Sequence, residues 1–170
     1  MTLSLTTGMS ELTLDARDEE VHPEAAVAPG FLTTHAAQVF NRRADEALRT
    51  HGLSLALLAP LLLIHWKGPM LQRDLVRHSA VRQPAMVAVL GKLEHLQLVK
   101  RAAVATDRRA ALIELTAAGR DAASLGGDIL RRLNQAGLDG FSDGEIALLV
   151  GLVRRFSDNL LKAPATKYQR

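Results

Sequence analysis

With 170 residues, 48% of them hydrophobic but only 4% aromatic, the chain has room for one ordinary domain whose core is Leu, Ala, Val and Ile, a composition that favours helix. It has no cysteine, which excludes a disulfide framework, a thiolate metal site, a cysteine nucleophile and a thiol redox switch. The net charge of +3 is uneven: residues 1–30 hold six acids and one base, and residues 67–109 hold nine bases and three acids, the clustering expected of a phosphate-binding surface.

Residues 1–30 carry Pro23 and Pro29 and no sustained apolar period. Two readings stand, a flexible acidic tail or a short element packed on a partner subunit, and Met9 is an alternative start. The segment lacks the basic start and long apolar middle of a secretory signal, and the longest apolar run, Leu55 to Ile64, is too short to span a membrane, so the chain is expected to be cytoplasmic. From Phe31 the spacing of Leu32, Ala36, Val39, Phe40, Ala44, Ala47 and Leu48 predicts a first helix, ended by His51-Gly52. Ser54 caps a second, Leu55 to about Trp66, apolar nearly all round and hence internal, with a kink or late start at Pro60.

After the break at Lys67-Gly68-Pro69, a third helix is expected from Leu71 to His78, with Leu71, Leu75 and Val76 inward. A turn at Ser79-Ala80-Val81 leads to a fourth, opened near Pro84 and turning Met86, Val89, Leu90, Leu93 and Leu96 inward. Leu98 to Val104 and Ala110 to Leu115 read as strands joined by residues 105–109. Thr116 caps a fifth helix to about Gly137, with Leu125, Ile129, Leu130 and Leu133 on one side and Gly126-Gly127 as a weak spot. Ser142 and Glu145 form a capping box for the last helix, where Phe141 can staple onto Ile146 and Ile146, Leu149, Val153, Phe156 and Leu160 continue a stripe.

This order is that of a helix-turn-helix with a β-hairpin wing: mainly α with a small β-hairpin wing, plus a helical dimerisation region. Leu93 to Arg101, then Asp107-Arg108-Arg109, then Leu115-Thr116-Ala117-Ala118-Gly119-Arg120 resembles the MarR family of bacterial transcriptional regulators, in its "LVxR" strand, wing-tip Asp-x-Arg and "LTxxG" start of the long helix. The resemblance spans about Phe31 to Leu161. It implies a homodimer joined by the first and last two helices, palindromic operator DNA and, often, a small aromatic ligand that weakens binding. The division expected is an acidic extension 1–30, N-terminal helices 31–66, a winged helix-turn-helix 67–116, C-terminal dimerisation helices 117–162 and a loose tail 163–170. The chain departs from the pattern at Gln97, where a glycine usually ends the recognition helix, at Leu57 and Pro60, and in an unusually apolar recognition helix.

Outward positions of that helix include Arg82, Gln83, Ala85, Ala88, Lys92 and His95. Arg82 and Gln83 can grip guanine and adenine edges, Ala85 can meet a thymine methyl, and Lys92 suits phosphate. The competing view is that Ala85, Val87 and Ala88 merely pack. Arg73 and Arg77 are assigned to phosphates, Asp107 to shaping the wing, and Arg108 or Arg109 to a narrow minor groove. His65 and Trp66, with His35 and Arg42, either line a ligand cleft or, for Trp66, belong to the core. The six histidines lack helical metal spacing, and neither a cofactor nor an enzyme site is expected, for there is no serine elbow, phosphate loop or paired carboxylate. The alternative function is a winged-helix module that docks another protein in place of DNA.

Overall fold

The computed structural model describes residues 27–79, 82–104 and 107–164. In chain order these form α1 (Pro29–Arg49), α2 (Leu55–Lys67), β1 (Met70–Leu71), α3 (Gln72–His78), α4 (Gln83–His95), β2 (Val99–Val104), β3 (Asp107–Leu115), α5 (Ala117–Gly137) and α6 (Asp143–Lys162). The chain is mainly helical with a small antiparallel sheet, the winged helix-turn-helix arrangement. The acidic segment 1–26, the turn residues Ala80 and Val81, the wing-tip residues Ala105 and Thr106, and residues 165–170 lie outside the described residues.

Helix α1 starts at Pro29, two residues before Phe31, because proline in the first turn loses no hydrogen bond and presets φ. It ends as expected at glycine. Leu53 N–H donates to Leu48 O and Gly52 N–H to Arg49 O, both at 3.1 Å, with Gly52 at φ 70° and the side chains of Leu48 and Leu53 buried together. The next helix is tied to this one at once: the Asp45 carboxylate accepts from Leu55 N–H at 2.7 Å, and Ser54 Oγ accepts from Leu57 N–H at 3.3 Å. Helix α2 then runs unbroken through Pro60, so the late start does not occur. It is the central helix, burying Leu57, Leu58, Pro60, Leu61, Leu62 and Ile64.

Gly68, at φ 83°, turns the chain out of α2 into a strand the sequence did not announce. Leu71 was expected to open α3; instead Met70 and Leu71 pair with Ile113 and Leu112, giving a three-stranded sheet in the order β1-β3-β2. Two residues are too few to display alternation. The central strand buries Ile113 completely, against Leu75 of α3 and Met86, Leu90 and Leu93 of α4 in the same core. Strand β3 begins at Asp107 rather than Ala110, and its register with β2 shifts between Ala103 and Val104, where Val104 lies opposite Asp107.

Leu96 does not join the inward stripe: α4 ends at His95, and Leu96 is 40% exposed. The turn that follows keeps the glycine geometry without the glycine. Gln97 takes φ 58°, Leu98 N–H donates to Leu93 O and Gln97 N–H to Glu94 O, both at 2.9 Å, and the Gln97 amide reaches Glu94 O at 3.3 Å.

Thr116 fastens α5 to that turn. Its Oγ1 accepts from Gly119 N–H at 3.0 Å and donates to Gln97 O at 2.7 Å, while its N–H donates to Leu98 O at 3.1 Å. A Cβ on Gly119 would lie 1.8 Å from Leu98 O, so only glycine allows this approach. Gly126, read from sequence as half of a weak spot, is a packing notch: a Cβ there would lie 2.3 Å from Leu58 Cδ1. The inner face of α5 is accordingly Ala123 and Gly126, with Ile129 and Leu130 half-buried, and Leu125 is exposed.

The capping box of α6 forms in full, with Ser142 N–H on Glu145 Oε2 at 2.8 Å and Glu145 N–H on Ser142 Oγ at 3.4 Å. The hydroxyl and backbone N–H of Ser142 hold the Glu145 carboxyl below the ordinary glutamate range. Yet α6 buries none of its residues, and Leu148, Leu149, Val153, Leu160 and Leu161 remain exposed. Among the described residues, no helix is long and apolar enough to cross a membrane.

Candidate nucleic-acid interface

The geometry of α4 follows from its apolar period. Met86, Leu90 and Leu93 face the core, so Pro84, Ala88, Gly91 and His95 stand on the opposite face at one residue per 100°, with Ala85, Lys92 and Val87 beside them. Arg82 precedes the helix and Gln83 opens it, both exposed. The view that Ala85, Val87 and Ala88 merely pack does not hold: all three are exposed, and Val87 is 44% accessible. Sequence reasoning had placed Ala85 and Ala88 outward but not Val87 or Gly91.

On α3, Arg73 is exposed and Arg77 reaches Asp74 at 3.7 Å, an exposed pair worth little in stability that leaves the guanidinium available to another anion. Among the described residues, Arg73, Arg82 and Lys92 form no ion pair. Arg82 and Lys92 stand at the two ends of α4, and Arg73 and Arg77 are exposed on α3, the helix before it, so the helix-turn-helix carries positive charge beside an apolar helix face.

A brace that the sequence did not reveal fixes the wing to this surface. Arg101 of β2 donates through Nε to Glu94 of α4 at 2.8 Å and through Nη1 to Gln72 of α3 at 3.3 Å. One side chain thus ties the first strand of the wing to both helices of the helix-turn-helix. On the same hairpin, Lys100 bridges to Glu114 at 2.9 Å. The signal was present as the arginine of "LVxR", but its partners lie 7 and 29 residues away, beyond any local period. Asp107, Arg108 and Arg109 open β3; their side chains lie outside the described part of the structure.

The four residues suggested for a ligand cleft are not brought together within one protomer. His65 and Trp66 line a cavity of about 520 Å³ between α2 and α5, with Leu62, Leu130, Arg131 and Asn134. Arg42 lines a separate cavity of about 400 Å³ with Asp45, Glu46 and Arg49, and His35 stacks on Phe31 at a centroid distance of 6.2 Å. Trp66 is no core residue: it is 72% exposed. Arg131 pairs with Asp128 at the cavity wall. Among the described residues, no group of three or more His, Asp or Glu side chains could hold a metal ion.

No family model matches the chain. Solved structures do. Transcriptional regulator PA3341 is 30% identical, with 79% of this chain covering 98% of that one at a TM-score of 0.69. BpsR of Bordetella bronchiseptica, described with regulation of its DNA binding by 6-hydroxynicotinic acid, is 23% identical, with coverage of 75% and 97% and a TM-score of 0.68. A mutant MarR from E. coli complexed with operator DNA is 21% identical, with coverage of 84% and 99% and a TM-score of 0.70. At their identities the last two speak to the fold.

Proposed function

The chain belongs to the MarR family of transcriptional regulators, and on that premise we propose that it is a dimeric, sequence-specific DNA-binding repressor that a small aromatic ligand releases. The observation that carries the proposal is the exposed face of α4, presented by a buried core, with Arg82 and Lys92 at its ends and Arg73 exposed on the preceding helix. A surface helix with such a rim suits the major groove of duplex DNA. In this reading Arg82, Gln83 and Ala85 meet base edges, and Arg73, Arg77 and Lys92 meet phosphates. Asp107 shapes the wing, and Arg108 or Arg109 enters the minor groove.

The dimer joint is assigned to α1, α5 and α6. Phe31 and Leu32 of α1 and the exposed leucines of α6 form apolar surface that one copy leaves open, and a second copy would cover it. Two-fold symmetry then requires a palindromic operator. The cavity holding His65 and Trp66 suits a flat aromatic ligand, and the effector described for BpsR supports that class. The protein acts by binding, in the cytoplasm, without a catalytic step of its own.

The test is a gel-shift titration on duplex DNA from upstream of the protein's own gene, at two salt concentrations and with random-sequence competitor. Retention against competitor and a steep loss with salt support the repressor, since each neutralised phosphate adds about 0.9 to the log–log slope. Binding that competitor removes equally well would refute sequence reading. No shift at low salt would leave the protein-docking module as the better account.

A further inference from the structure

We propose that the recognition helix specifies its operator chiefly through thymine 5-methyl groups rather than through hydrogen bonds to base edges; the inference rests on the DNA-binding reading above. Up to its last turn, the outward face of α4 consists of Pro84, Ala88 and Gly91, flanked by Ala85 and Val87, and none of these side chains can donate or accept a hydrogen bond. Polar groups stand only at the ends, Arg82 as the N-cap and Gln83 as the first residue, and Lys92, Glu94 and His95 in the last turn, where Glu94 is held by Arg101. In the major groove, the one base feature that an apolar side chain can recognise is the thymine methyl.

Gly91 supplies an independent observation. It lies inside a helix, where glycine is disfavoured relative to alanine, yet a Cβ built on it meets nothing within 4 Å. The protein's own packing therefore gives no reason for glycine there, unlike at Gly119 and Gly126. A partner approaching this face does, and the glycines equally open at Gly144 and Gly151 lie on α6, the helix assigned above to the second copy. With the bare backbone at Gly91 against the groove, the methyls of Ala88 and Val87 come within contact distance of the base edges. The flanking cations fit a polyanion as the occupant, which disfavours an apolar protein partner for the same stripe.

The experiment uses the full chain and the upstream duplex that survives competition, with its bound positions located by footprinting. That duplex is synthesised with dT and with dU at the contacted positions, since uracil lacks only the methyl. Each lost contact should weaken binding about fourfold, the worth of one methyl-sized group removed from water. The dT/dU ratio should fall towards one in Val87→Ala and Ala88→Ser, exposed positions where the fold tolerates change, with melting temperature as the check that both variants remain folded. Equal binding of dT and dU duplexes, an undiminished ratio in both variants, or a footprint without thymine under α4 would overturn the inference and leave the DNA-binding reading intact. Failure to bind any duplex above competitor would instead overturn that reading, and the inference with it.

Discussion

Replacing Gly119 with alanine should damage the fold out of proportion to the one methyl added. Gly119 is the third residue of α5, and a Cβ there would sit 1.8 Å from the Leu98 carbonyl oxygen and 2.8 Å from its carbon. The obstacle is backbone, so no rotamer change relieves it, and α5 must retreat from the α4–β2 turn by more than an ångström. That retreat breaks the bonds from Thr116 N–H to Leu98 O at 3.1 Å and from Thr116 Oγ1 to Gln97 O at 2.7 Å. At about 1 kcal/mol each, plus overpacking, the loss comes to about 2–4 kcal/mol. For a protein of this size that lowers Tm by about 5–12 °C, read by far-UV circular dichroism at fixed protein concentration. Gly127 is the control. A Cβ there meets Leu62 Cδ2 at 3.5 Å, ordinary contact, so Gly127→Ala should gain up to about 1 kcal/mol of helix propensity and raise Tm. Melting of Gly119→Ala within a degree of the parent, or shifts of the same sign in both variants, would refute this account of the junction.

Gln97→Gly should stabilise the protein by about 0.5–1 kcal/mol, read as a higher urea midpoint at unchanged slope, because Gln97 occupies the left-handed region at φ 58°. The Glu145 carboxyl is held below its ordinary range by the Ser142 hydroxyl and N–H, so its stabilising effect is present above that range and fades as pH falls through the lowered value. Amide exchange in the first turn of α6 should therefore accelerate under acid, and Ser142→Ala should flatten that dependence. The chain has a single tryptophan, Trp66, 72% exposed beside the α2–α5 cavity. Its fluorescence should be readily quenched by acrylamide, and an aromatic ligand seated there should protect it; quenching unchanged at saturating effector would refute the site.

Terminus signals carried the local reading well, because a cap acts over three or four residues. Ser54, Thr116 and Ser142 all accept the backbone bonds expected of them. Tertiary circumstances were invisible to the same logic. The two residues of β1 gain their strand from β3, with partners 43 and 41 residues on, and Leu71 leaves the helical period to do so. Gly126 looked like a defect because Leu58, which fills the notch, lies on another helix. Gln97 looked like an obstacle to a glycine turn, yet the bonds closing that turn outweigh the cost of one left-handed residue. The site divided in the same way. The outward placement of Arg82, Gln83, Ala85, Ala88 and Lys92 was legible in a 3.6-residue period, whereas the Arg101–Glu94–Gln72 brace depends on three elements meeting.

The central claim is that two copies of this chain read one palindrome through α4. Selection of bound duplexes from a randomised pool by the full-length protein, followed by sequencing, tests it most directly. The account predicts an enriched inverted repeat whose half-site centres lie about one helical turn apart, roughly 10 base pairs. Enrichment of a single asymmetric site, or of no sequence at all, would contradict it.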